Sequence, residues 1–169
     1  MYVIHNVSET SPDPLELKKF FVSHLNRLYC AKNQLSDKLP VIEKNSHSRD
    51  LRHAVSGTVD SVLMQIGRIE EIYTRLDASY TPESCIGLSG FLDEAFQSIG
   101  PPLDRPILHD LSILFYMQNI ESIEMASFEV MMRVADKLKE WDVVQLLREC
   151  YDEARQARAM YDALAGHYL

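Results

Sequence analysis

Apolar residues recur along this chain at alternating spacings of three and four, the signature of helices that each bury one face. Asp13 and Pro14 start the first, because an Asp side chain can cap free amides and Pro suits the first helical position. Its stripe is Phe21, Leu25, Leu28, Lys32, Leu35 and Leu39, and it is expected to end between Lys38 and Asn45. After the polar segment Asn45 to Asp50, a second long helix carries Leu51, Val55, Thr58, Val62, Gln65, Ile69, Tyr73 and Leu76. From Asp77 to Pro106 the rhythm breaks around Pro82, Gly87, Gly90, Gly100, Pro101 and Pro102. One apolar patch, Phe91 to Ile99, predicts a short helix inside that stretch. A third long helix spans about Arg105 to Leu138, and a brief turn at Lys139 to Asp142 leads into the last. The last helix is expected to bury Val143, Leu146, Cys150, Glu153, Ala157, Met160 and Leu164.

Two short connections make two antiparallel hairpins, while the long one between them lets the chain cross along the bundle. The expected fold is all-α: a ferritin-like four-helix bundle with a long crossover carrying a short extra helix. Residues 1–12 read as an N-terminal tail and 13–169 as one domain, which fits a chain of 169 residues that is 46% hydrophobic.

The polar residues on the inner stripes carry the chemistry. Glu121 and Glu124 share the rhythm of Leu114, Met117, Phe128, Met131, Ala135 and Leu138, so two carboxylates point into the core, where an unpaired charge is costly. Each of the other long helices also has a polar residue near its middle: Lys32 in the first, Thr58 with Asp60 and Ser61 in the second, Glu153 in the last. Ferritin-like carboxylate proteins build two-metal sites from such a layer, with Glu-x-x-His pairs on two helices. None of the six histidines completes such a pair here, and only His24 and His167 are expected to face inward. Lys32 offers a cation of its own. It would pair with Glu121 or Glu153 in a salt cluster, whereas metal coordination by the acids would displace it.

Composition narrows the partners. A net charge of -8, from 25 acidic and 17 basic residues without a basic block, argues against nucleic acid and anionic membranes. No apolar run reaches bilayer length, the N-terminus lacks a basic start followed by an apolar stretch, and a cytoplasmic location is expected. Cys30, Cys85 and Cys150 are widely spaced and odd in number, so no disulfide framework is signalled; Cys30 and Cys150 read as small apolar fillers. Tyr29, Tyr73, Tyr116 and Tyr151 read as core tyrosines near the polar layer.

The segments FFVSHLNRLYCAKNQLSDKLP, LMQIGRIEEIY, CIGLSG, NIESIEMASFEVMMRVADKL and LLRECYDEA occur in the order found in the YciE/YciF group of small bacterial ferritin-like proteins, which the chain resembles over nearly its whole length. The resemblance implies a four-helix, two-metal type of scaffold, dimers and stress-induced expression. It also implies metal ligands at a first-helix Ala-Glu-x-Gln, a second-helix His-x-x-Glu-like stretch, a third-helix Glu-x-x-Glu-like stretch and paired acids in the fourth. Here the first of these is Ala31, Lys32, Asn33, Gln34; the second-helix His position is Thr58, followed by Asp60 and Ser61. Glu121, Glu124 and Glu153 remain, and Ala154 follows Glu153.

Two functions are therefore weighed. In the first, a non-enzymatic structural or interaction protein holds a buried cluster of Lys32, Thr58, Ser61, Glu121, Glu124 and Glu153 in place of a metal centre, without a cofactor, as a homodimer whose protein partner is unknown. In the second, Glu121, Glu124, Glu153 and Asp60 hold one iron or manganese ion in a degenerate oxidoreductase. A third class, a small-molecule receptor, would show a sizeable cavity beside the polar layer.

Overall fold

The structure, a computed structural model, describes residues 12–82, 85–101 and 104–169, without the side chain of Ile86. Most of the expected N-terminal tail, together with Pro102, lies outside the described residues. Asp13 accepts hydrogen bonds from the amides of Leu15 and Glu16 at 2.8 and 2.9 Å, and Glu16 accepts one from the Asp13 amide. This reciprocal cap opens α1, Pro14–Asn45. The helix ends inside the expected window, and its stripe from Phe21 to Leu39 is buried, Lys32 included.

Ser48 caps α2, Arg49–Arg75, after a three-residue loop. That loop is held from across the molecule: the backbone N–H groups of His47 and Ser48 each donate to Asp110 at 2.8 Å, and the Tyr168 hydroxyl donates to the same carboxylate at 2.9 Å. The crossover helix α3, Ile86–Ile99, is longer than the expected patch, and Leu92, Ala95 and Ile99 turn that patch onto its own bundle. It stops at Gly100, whose φ of 61° is open to glycine and strained for most other residues. Then come α4, Pro106–Lys137, and α5, Trp141–Gly166. No strand occurs among the described residues.

The pairs α1/α2 and α4/α5 form the two hairpins; α2 packs on α5 and α1 on α4, while α3 lies along the α1/α4 edge. Inside are two apolar clusters. One gathers Leu35, Leu39, Val55, Val62, Leu114 and Met117, the other Leu25, Leu28, Ile69, Phe128, Met131 and Leu147. The break between them on each helix marks a polar layer: Lys32 between Leu28 and Leu35, Gln65 between Val62 and Ile69, Glu121 and Glu124 between Ile120 and Phe128.

Two expectations need correction. The inner face of α5 is turned from the expected one: Val143, Leu147, Cys150, Ala154 and Tyr161 are buried, Leu146, Glu153, Ala157 and Leu164 lie at the edge, and Met160 is exposed. A helix with apolar residues on two adjacent rows is satisfied by either row, and packing against α2 and α4 selects one. The other concerns cysteine. Cys30 and Cys85 are joined in a disulfide, with Cα atoms 5.9 Å apart, that ties α1 to the start of α3; Cys150 is the buried free thiol.

Candidate functional site

The polar layer centres on Lys32 and Glu124. Both side chains are about 1% exposed, and the ammonium donates to Glu124 Oε2 at 2.5 Å, with Phe128 beneath it at 5.8 Å from the ring centroid. An ion pair this dry survives because each charge answers the other; alone, either would face several kcal/mol of desolvation. The expected partners were Glu121 or Glu153. The pairing with Glu124 follows from position, since Glu124 and Phe128 share one row of α4 that faces α1.

Glu121, also buried, has a carboxyl pushed well above the usual carboxylate range, first by burial, then by the Glu124 carboxylate beside it, against the pull of Lys32. One cation therefore meets one anion, and the third group keeps its proton. Glu124 Oε1 and Gln65 Oε1 are buried without a hydrogen-bond partner among the described residues.

Glu153 does not join this centre. It sits at the rim, half-buried, where Arg68 approaches it at 2.9 Å and Gln65 Nε2 donates to it at 2.9 Å. Arg68 also bonds Glu149 at 2.9 Å. Beside Glu153, the residue that faces inward is Ala154, whose methyl group offers nothing to a cation. Thr58 forms a separate buried pair with the Tyr161 hydroxyl at 2.6 Å, two turns along α2 from Gln65. Ser61 is half-buried, and Asp60 is exposed on the outer face of α2. Thus Lys32, Glu121 and Glu124 come together, Thr58 and Glu153 border them, and Asp60 is excluded.

Several participants were missed. Gln65 supplies the layer's α2 member; it stood on the expected stripe, but an amide gives no chemical signal. Tyr161 was hidden by the misjudged face of α5. Cys150, its thiol pushed up to about 11 by burial, lies within reach of the fields of Lys32 and Arg68, which both act to lower it. His24 is only half-buried and His167 exposed; among the described residues the buried histidine is His109, its Nε2 3.4 Å from the carbonyl oxygen of Gly100. Of the four expected tyrosines, Tyr29 bonds Glu70 and Tyr73 bonds Asn26, both away from the layer.

A family model described as a domain of unknown function, DUF892, matches residues 16–167. The chain belongs to this family. Within it the chain is 21% identical over 140 residues to protein YciF of Escherichia coli strain K12, covering 82% of this chain and 84% of that protein. The crystal structure of the E. coli stress protein YciF superposes with a TM-score of 0.84 at 20% identity, over 90% of this chain and 96% of that one. YcfI from Rhodopseudomonas palustris, proposed as a structural protein, superposes with a TM-score of 0.81 at 21% identity, over 91% and 98%. The expected YciE/YciF membership and bundle fold are thereby shown.

The side chains present do not fit the two-metal centre that the resemblance implies. The central acceptor, Glu124, is engaged by the ammonium of Lys32, which occupies the middle of the layer, and Ala154 faces inward with no donor atom. No three acids, histidines or cysteines among the described residues converge on one point.

Proposed function

We propose that this member of the DUF892 family is a non-enzymatic structural or interaction protein, in which a Lys32–Glu124 ion pair and a protonated Glu121 take the place of a metal centre. The carrying observation is the ammonium of Lys32 seated on Glu124 in the dry middle of the bundle. A charge-neutral triad of this kind ties α1 to α4 without a metal, and the Gln65–Glu153 hydrogen bond continues the polar layer between α2 and α5. The description of YciF as a stress protein supports a stress-related role for this chain. The reading includes a homodimer, formed where Ile107, Leu108 and Phe115 leave one end of α4 apolar and exposed.

It also includes a cytoplasmic location; among the described residues no helix is long and apolar enough to cross a membrane.

The test is metal content per chain by mass spectrometry after anaerobic incubation with Fe(II) or Mn(II) and desalting. The expected result is essentially none for the wild type and a rise on Lys32→Glu, which exchanges the cation for a ligand. About one ion per wild-type chain would favour a single-metal oxidoreductase, and about two would restore the di-metal centre.

A further inference from the structure

α3 covers only part of the α1/α4 edge, and where it begins, a groove of about 470 Å³ opens between the two long helices. Its size lies within the range of sites that bury small ligands, about 300–1,000 Å³. Leu28 and Met131 form its floor, one turn from Lys32 on α1 and two from Glu124 on α4, so it flanks the polar layer without entering it. The walls are apolar and open: Phe20 is 44% exposed on α1 and Val130 48% on α4, with Ala126 beside Val130 and Leu88 closing the α3 side.

The polar chemistry is one-sided. Arg27 is the charged residue among those described in the lining, and no described carboxylate forms an ion pair with it. In a chain of net charge -8 this is a local inversion of sign. His24, next to it, has its imidazole pKa lowered by burial and by the Arg27 charge, so near neutral pH it is an uncharged hydrogen-bonding group. The Ser127 hydroxyl is turned back to the Ile123 carbonyl at 2.8 Å, which leaves the lower wall effectively apolar. Phe20 and Arg27 are seven residues apart on one helix face, about 10 Å along the axis. The groove is thus a slot with an aromatic ring at one end and a guanidinium at the other.

We propose that this groove binds a free acyl carboxylate, its alkyl chain lying between α1 and α4 and its carboxylate on Arg27, with His24 as a second polar contact. The shape excludes a compact anion such as phosphate, which would leave the apolar walls unused. The sign excludes alkyl cations. This binding stands apart from the Lys32 centre and holds whether or not that centre takes a metal.

The test is isothermal titration of the full chain with decanoate, decan-1-ol and decylammonium, each below its aggregation concentration, with sedimentation velocity on the same samples. The expected result is one decanoate per chain, bound at least tenfold tighter than the alcohol, and no measurable binding of the cation. Arg27→Gln removes the preference for carboxylate while leaving alcohol binding in place, and Ala126→Trp, a change at an exposed position, blocks both. Equal binding of acid and alcohol, a preference that survives Arg27→Gln, or no decanoate binding by the wild type would each overturn the proposal. So would a dimer that dissociates on Ala126→Trp, because the groove would then be filled by a second copy. Binding to phosphatidylglycerol vesicles without binding of decanoate monomers would assign the slot to a membrane surface and sink it as well.

Discussion

A carboxyl group shut away from water, with another carboxylate beside it, keeps its proton, and Glu121 is held in that state. The linkage to stability has a definite sign. Below the unfolded value, about 4.3, both states carry the proton; above it the unfolded chain releases a proton that the folded chain retains, so stability declines as pH rises toward the folded pKa. Glu121→Gln cannot ionise. In urea unfolding at a series of pH values above about 5, the wild type is expected to lose stability relative to this variant by on the order of 1 kcal/mol per pH unit. Parallel curves would mean that Glu121 is ionised in the fold and that the charge count around Lys32 and Glu124 is wrong. At this scale the sequence was informative at Lys32, Glu121 and Glu124, charges on the apolar stripes of α1 and α4, because burial of a charge forces a local answer. It was silent on Gln65, and on Asp110, whose partners are the backbone of a distant loop and the hydroxyl of Tyr168. No local spacing encodes such partners.

Among the elements, α5 shows the limit of reading periodicity. Val143 and Cys150 belong to the rhythm whether the residue between them is Leu146 or Leu147, and further on Met160 competes with Tyr161. The choice turns the face by one residue, about 100°. It decided the fate of Glu153, expected in the centre and found at the rim with Arg68. Truncation separates the two rows directly: Leu147→Ala, at a fully buried position, is expected to cost about 2–5 kcal/mol, and Leu146→Ala well under half of its neighbour's loss, by chemical denaturation. A reversed order would restore the face first expected, and with it an inward Glu153. In the long helices α1, α2 and α4 the expected rows are the buried ones, although α4 also carries Ile107, Leu108, Phe115 and Val130 on its outer side, and their limits fell within a few residues of the expected ones.

The architecture of the whole molecule was legible from connection lengths, because two short links and one long link leave few ways to close a bundle. The path of the crossover was not. Cys85 lies in the stretch where periodicity fails, so nothing in the sequence placed it against Cys30. Its bond spans a sequence separation of 55 residues, and restricting a loop of that size in the unfolded chain contributes about 4 kcal/mol in the chain-entropy model. Addition of a thiol reductant is expected to lower the unfolding free energy of the wild type toward that of Cys85→Ser, and to leave the variant unaffected. Equal stability of the oxidised and reduced wild type would remove the bond from the account of the fold.

The same bond makes a closed covalent ring of the second half of α1, all of α2 and the first part of the crossover, with α4 and α5 outside it. Drawn out by its two ends, the oxidised chain can release only the residues outside the ring. Its stretched contour falls short of the reduced chain's by about 180 Å, the length of the bypassed segment at about 3.4 Å per residue. Mechanical load on the termini therefore passes through Cys30 and Cys85 and never reaches α2, which the ring shields even after the rest of the bundle has come apart.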